Sequence, residues 1–321
     1  MVNFQNILVI HKAAIGDSIL ATPVLKAIKT LNPNIKTSYL GQENILELFK
    51  DSCLYIDNYI SFKQTFWQLK QVINLAKPDL ILELTNNFKT NLLSTGFKTS
   101  KYVKNPKIHA VDNFWLTITP LIHYYNSFTI KPSFPTLFPP ELSPEIVKLI
   151  NNLANSNLKP LIAIAPAVGN KRANRAWCLS KWQKLIQTLA PDFKIFIIGS
   201  SEDQNITDNF KNTEYLTNVS GQLSLTQTAS LLKTCKVLIS GDTGPAHLAI
   251  AVGIKVIGLY GPTQLTRSGP YDNETNSISH NELCKCLNQK YCQYKNADNC
   301  SFCMESINEA EILKKLHTIL N

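Results

Sequence analysis

SGDTGPAHLAIAVGIKVIGLYGPT, residues Ser240–Thr263, compresses a strand end, a glycine turn, a short helix and a second strand into one stretch. The apolar run Lys236-Val237-Leu238-Ile239 before it reads as a strand that stops at Gly241-Asp242-Thr243-Gly244. Two glycines there permit a tight turn and the close approach of a ligand to backbone amides. Pro245 suits the first helical position, Ala246 to Val252 continues the helix, and Gly253 ends it. Ile254 to Tyr260 is then the next strand, closed by Gly261-Pro262-Thr263. A helix N-terminus at the carboxyl end of a strand is a seat for a diphosphate, so the stretch points to an α/β fold that binds a nucleotide or nucleotide sugar.

The rest of the chain repeats this alternation. Strands are expected at Asn6–His11, Ile35–Leu40, Tyr55–Tyr59 and Leu80–Glu83, with helices at Asp17–Thr30, Asn44–Lys50 and Phe66–Leu75. Lys131 to Pro144, KPSFPTLFPPELSP, carries five prolines and can be neither a helix nor a central strand. Beyond it the pattern restarts, with strands at Leu161–Ala165 and Lys194–Ile198 and helices at Ser180–Leu189, Leu225–Leu232 and Asn308–Leu320. Short apolar strands between amphipathic helices indicate parallel sheets covered on both faces. The expected organisation is two Rossmann-like domains facing a cleft, residues 1–140 and 141–321.

The totals describe a globular protein of 321 residues, 44% apolar and 17% charged. No apolar run reaches the length of a membrane span, and MVNFQNILVIH reads as a first strand, not a signal peptide, so a cytoplasmic location is expected. Net charge is +9, yet of 32 basic residues only Arg172, Arg175 and Arg267 are arginines. A bidentate guanidinium is not replaceable by an ammonium, which makes these three the informative cations. Lys89, Lys98, Lys101, Lys104 and Lys107 form a second basic group, with no acidic residue between Leu84 and Val111. It reads either as a solvated face or as a surface for an anionic acceptor or headgroup layer. No aromatic-basic RNA motif accompanies it, and no nucleic-acid partner is expected. Eight cysteines in a cytoplasmic chain read as free thiols; Cys284, Cys286, Cys300 and Cys303 are the set whose spacing could form a structural metal site.

Chemistry is expected where strands end. The first strand leads into Lys12-Ala13-Ala14-Ile15-Gly16-Asp17, which lacks the GxGxxG pattern of a dinucleotide fold. Asp17 reads either as a helix N-cap or as a carboxylate acting as general base. Ala165 to Trp177 holds Lys171, Arg172 and Arg175, cationic side chains suited to a leaving diphosphate. Glu202 follows the next strand and could hold ribose hydroxyls, and His247 could reach a phosphate. Asp242 beside a diphosphate would be repelled, so a sugar hydroxyl or the turn's own amides suit it better.

These residues resemble a family. ILVIHKAAIGDSILATPVLKAIKTLNP and SGDTGPAHLAIAVGIKVIGLYGPT are similar to the N-terminal and donor-site segments of glycosyltransferase family 9, the ADP-heptose:lipopolysaccharide heptosyltransferases. The resemblance implies a GT-B fold, whose last helix commonly crosses back to the N-terminal domain. It implies inverting transfer of a heptose from ADP-heptose to the inner core of lipopolysaccharide, with no cofactor required, by an enzyme peripheral to the inner face of the inner membrane. By position, Asp17 matches the catalytic aspartate, and Asp242, Thr243, Gly244 and His247 match the donor loop. Arg175 falls where the family commonly has a lysine, which leaves the phosphate-binding role open among Lys171, Arg172 and Arg175. Gly16 and Lys89 fall in regions facing the acceptor, an anionic glycolipid. The rival readings are a GT-B transferase with another nucleotide sugar and a non-catalytic glycan-binding or lipid-core-binding protein.

Overall fold

The computed structural model describes residues 4–154, 159–271, 276–289, 291–294 and 300–321. It divides into two compact units that meet in sequence between Phe138 and Pro139, inside the proline-rich segment.

The first unit is a parallel sheet of five strands in the order β3-β2-β1-β4-β5. Its elements are β1 (Asn6–Ile10), α1 (Ile15–Leu20), α2 (Thr22–Leu31), β2 (Lys36–Gly41), α3 (Glu43–Ser52), β3 (Asn58–Ser61), α4 (Phe66–Ala76), β4 (Leu80–Glu83), α5 (Phe88–Ser94) and β5 (Thr99–Lys101). The short helices α6 (Ala110–Trp115) and α7 (Thr119–Tyr124) complete it. Strand β4, LILE, is buried along its whole length, as a central parallel strand covered on both faces requires. The single helix expected over 17–30 is two. Pro23 has no N–H to return to Ile19, and the Thr22 hydroxyl bonds the Ile19 carbonyl at 2.8 Å instead. Strand β3 starts three residues later than expected, because Asp57 serves as an acceptor at its entrance, taking the Thr37 N–H at 2.7 Å and Lys29 Nζ at 2.6 Å.

Strands β1 and β4 pair with Ile10 opposite Glu83, so the loops that follow them emerge side by side at one edge of the sheet. Lys12 N–H donates to Thr85 Oγ1 across that gap at 2.6 Å. Glu83 is fully buried and takes the Thr90 hydroxyl on one carboxylate oxygen and the Ser94 hydroxyl, 3.2 Å away, on the other. Both donors lie on α5, which Asn87 opens with a reciprocal cap to Thr90.

The second unit is a parallel sheet of six strands in the order β11-β10-β9-β6-β7-β8. It begins with α8 (Pro144–Ala154) and runs through β6 (Leu161–Ala165), α9 (Leu179–Leu189), β7 (Lys194–Ile197), α10 (Gln204–Thr207), β8 (Leu216–Asn218) and α11 (Leu225–Thr234). The segment quoted at the outset follows as β9 (Val237–Gly241), α12 (Gly244–Ala251) and β10 (Lys255–Tyr260), and then come α13 (Leu265–Ser268), β11 (Ile278–Ser279), α14 (Phe302–Glu305) and α15 (Glu309–Leu320). Ser224 caps α11 through a capping box with Gln227, as its position suggested. Strand β9 lies inside the sheet between β6 and β10, and its five residues are all buried.

Trp177 and Trp182 meet edge to face with centroids 4.8 Å apart, and Trp177 Nε1–H donates to the Ile307 carbonyl at 3.1 Å. Lys181 Nζ reaches the same carbonyl at 2.9 Å, fastening the chain ahead of α15 to α9. The apolar face of α15, Ile312 and Leu316, belongs to the core of this second unit, and the helix packs on α9 and β10. Replacing the wholly buried Ile312 by alanine should cost about 2–5 kcal/mol. Urea unfolding of Ile312→Ala followed by tryptophan fluorescence measures this, since Trp177 and Trp182 share its core; an unchanged midpoint would show that α15 contributes no packing.

Candidate functional site

In the second unit three loops meet at the carboxyl edge of the sheet, after β6, β9 and β10. The contact between the first two is close at Gly241, where any side chain would press on Val168. A Cβ there would lie 3.0 Å from Val168 Cγ1 and 3.6 Å from the Arg175 carbonyl oxygen. Thr243 precedes the first residue of α12, and its hydroxyl shares a hydrogen bond with Ser240 Oγ at 2.9 Å. Gly244 and Pro245 are the first two residues of α12, and His247, 6% exposed, lies on the same turn.

The centre of the arrangement is an ion pair. Arg175 Nη1 lies 2.6 Å from Asp242 Oδ2 and also donates to the Asp242 carbonyl at 3.4 Å. Asp242 is 6% exposed, and burial raises its carboxyl above the usual value of 3.8. Arg175, the Thr263 hydroxyl, Arg172 and Arg267 oppose that rise. All three arginines of the chain thus act on one carboxylate. Burial lowers the Arg175 guanidinium, and Asp242 holds it up. The buried Tyr260 phenol is raised well above its usual range by burial first and by Asp242 second.

The misfit expected at Asp242 is resolved by this pairing: the anion is matched by Arg175 within the protein. Arg175, read as a diphosphate contact, is thereby engaged with the turn itself. Arg172 is half-buried on the same loop, while the side chain of Lys171 lies outside the described residues. Glu202 sits exposed after β7, two strands away from β9, in a turn where Asp203 caps Ser200. It is not drawn into the cluster around Asp242. Thr263 ends the glycine-turn segment and Arg267 lies four residues beyond it, and both belong to the site; the scarcity of arginine is the available signal for the second.

The cysteine-rich segment braces this site from behind. Ser301 Oγ donates to the Asn174 carbonyl at 3.0 Å, and Asn174 Nδ2 donates to the Gln289 carbonyl at 3.0 Å. Asn281 Nδ2 donates to the carbonyls of Gly261 and, at 2.7 Å, Thr263. Two expectations for the thiols are corrected here. Cys300 is joined to Cys178 in a disulfide, which takes it out of the set Cys284, Cys286, Cys300 and Cys303 and makes neither partner a free thiol. Among the described residues no group of three His, Cys, Asp or Glu side chains is arranged to hold a metal ion.

In the first unit Asp17 is exposed on α1, at the same sheet edge as the Lys12–Thr85 contact. It is not the N-cap, a position Ala14 occupies; Asp17 lies in the first turn of the helix, where the backbone dipole favours its charge. Gly16 precedes it, and Lys89 lies half-buried in the first turn of α5.

Residues 143–298 match the family described as glycosyltransferase family 9 (heptosyltransferase). Lipooligosaccharide heptosyltransferase 2 of Campylobacter jejuni is 24% identical over 317 residues, covering 94% of this chain and 95% of the relative. The solved structure of E. coli ADP-heptose lps heptosyltransferase II is similar with a TM-score of 0.78 at 17% identity, over 98% of both chains. E. coli heptosyltransferase WaaC with ADP is similar with a TM-score of 0.65 at 16% identity, over 98% of this chain and 99% of that one. These likenesses show the GT-B fold.

The raised carboxyl of Asp242 has a consequence for stability. A carboxyl whose folded value lies above its unfolded one favours folding most below the unfolded value, and that contribution is lost as pH rises through the folded value. As pH rises past the usual carboxyl value of 3.8, the unfolding free energy should therefore carry a falling component that Asp242→Asn removes. Urea titrations at several pH values compare the two proteins; an identical pH slope would mean that the carboxyl is not perturbed.

Proposed function

We propose that this chain, which belongs to glycosyltransferase family 9, transfers a heptose from ADP-heptose to the inner core of a lipopolysaccharide-type acceptor with inversion at the anomeric carbon. The observation that carries the reading is the turn after β9, where Asp242, Thr243, Gly244 and His247 stand at the head of α12 with all three arginines around them. The C. jejuni relative and the E. coli structures carry heptosyltransferase names, and one of those structures holds ADP.

In this reading the diphosphate lies at the N-terminus of α12, where backbone N–H groups and the helix dipole favour negative charge. The acceptor hydroxyl oxygen attacks the anomeric carbon, the bond from that carbon to the diphosphate oxygen breaks, and ADP departs with the bonding electrons. The hydroxyl proton passes to Asp17. Arg172 and Lys171 offset the charge that develops on the leaving oxygen, so the reading requires no cofactor. Arg175 holds Asp242 in place, and Asp242 and His247 face the sugar and the phosphates. Among the described residues no helix is long and apolar enough to cross a membrane. Because the acceptor is a glycolipid, the protein works at the inner face of the inner membrane as a peripheral protein.

Asp17→Ala should lower the turnover number by about 10²–10⁴-fold while donor affinity stays within a factor of two or so. Transfer to a purified core acceptor, with donor binding measured by calorimetry, separates the two quantities; retained turnover would remove Asp17 from the base role. Arg172→Ala should weaken ADP binding about tenfold, as expected for a lost charge-assisted contact of about 1.5 kcal/mol. Thermal stabilisation by ADP, compared with UDP and GDP, reads that loss and the nucleotide preference together; equal stabilisation by all three would overturn the choice of donor.

A further inference from the structure

The carboxyl edge of the first sheet carries a group of exposed side chains that the transfer reaction leaves unused. Phe88, 84% exposed, opens α5, and Leu92 follows it one turn later on the same helix. Val103, 71% exposed, lies just past the end of β5. Strands β4 and β5 are neighbours in the sheet, and Asn86 Nδ2 donates to the Tyr102 carbonyl at 2.8 Å, which ties the two loops together. On α4, which packs beside α5, Trp67 is 78% exposed in the first turn.

The loop that carries Val103 is held in shape. Tyr102 packs on Phe114 with centroids 5.1 Å apart. The buried Asn113 accepts the Asn105 N–H at 2.7 Å and donates to the carbonyls of Asn105, Ile108 and His109. Lys101, Lys104 and Lys107 stand exposed on this stretch, and no acidic residue occurs between Leu84 and Val111. Lys98 is apart from them: it starts the other end of β5 and lies over the Phe4 ring at 4.8 Å.

Single exposed apolar residues are ordinary, but an aromatic and an aliphatic side chain beside three exposed lysines, on a stretch with no acidic residue from Leu84 to Val111, are not. Apolar tips that enter the boundary of the acyl chains, ringed by cations that meet headgroup phosphates, are how a folded protein sits on an anionic bilayer. We infer that this corner, Phe88 and Val103 with Lys101, Lys104 and Lys107, is the membrane-docking surface of the protein and that its partner is an anionic lipid bilayer. The inference rests on the transferase reading for its purpose: Asp17 lies on the same sheet edge, so docking here brings the sugar end of a lipid-anchored acceptor toward it. The binding itself needs neither substrate.

Flotation of the full chain with vesicles, without donor or acceptor, tests the inference. Wild type should bind vesicles containing 30% phosphatidylglycerol, release from them as salt rises, and ignore pure phosphatidylcholine. Phe88→Ser/Val103→Ser should reduce binding at least tenfold, and Lys101→Gln/Lys104→Gln/Lys107→Gln on the order of a hundredfold. No vesicle binding by wild type, equal binding by both variants, or tighter binding to an oligonucleotide than to the anionic vesicles would each overturn it. Both variants should keep wild-type turnover on a deacylated, water-soluble acceptor and lose it on the same acceptor presented in vesicles. If wild type fails on the soluble acceptor, the transferase reading falls while the flotation result stands by itself.

Discussion

A carboxylate as buried as Asp242 cannot remain charged unless a cation comes to it, and in the second unit that need brings the loops after β6, β9 and β10 together. Arg175 meets Asp242 at 2.6 Å, so the loop after β6 must lie against the turn after β9. Gly241 allows that approach by offering no side chain to Val168. Thr263 adds a hydroxyl from the loop after β10, and Arg172 and Arg267 add charge from either side. Breaking such a pair on one side costs about 3–5 kcal/mol, because the remaining charge stays buried. The pair is therefore worth more as a fixture of loop geometry than as net stabilisation, since its attraction is largely consumed by desolvation.

The cysteine-rich segment follows from the same requirement. A cationic loop that must hold one shape needs its backbone polar groups satisfied from outside, because as a short 3-10 turn it leaves several of them without local partners. Ser301 and Gln289 supply bonds to Asn174, the Cys178–Cys300 bond anchors the strand of chain that follows, and Asn281 holds the carbonyls of Gly261 and Thr263. A segment whose spacing suggested metal ligands is thus a brace for the site.

The fold was legible because its signals are local. Short apolar strands, the Ser224 cap and the glycine turn at 241–244 each depend on residues within a few positions. The Thr22–Pro23 break in the first helix was written in the sequence too, but its effect depends on the hydroxyl of Thr22 taking over the Ile19 carbonyl, which a pattern of apolar positions does not report. The site was legible only as a set of strand ends. That Arg175 would turn to Asp242, 67 residues away, and that Ser301 would reach Asn174 across 127, depends on strand order and loop shape. Glu202 shows the converse: a polar residue after a strand looks like a ligand from the sequence, whereas β6 lies between its strand and β9 and leaves it outside the cluster.

The three arginines all belong to the second unit and the exposed lysine group at 101–107 to the first, and physical chemistry explains what each does there. Arginine presents a rigid fork that fixes direction as well as charge, and all three copies act on the buried carboxylate of Asp242. Lysine presents a mobile point charge, and the group at Lys101, Lys104 and Lys107 stands on a surface where only the sign and density of charge matter. A headgroup layer has no fixed geometry to match, so a diffuse field serves it, and apolar tips at Phe88 and Val103 supply the short-range adhesion that charge alone lacks. With 29 lysines among 32 basic residues arginine is scarce in this chain, and all three copies lie on the segments after β6 and β10 and act on the carboxylate of the turn after β9.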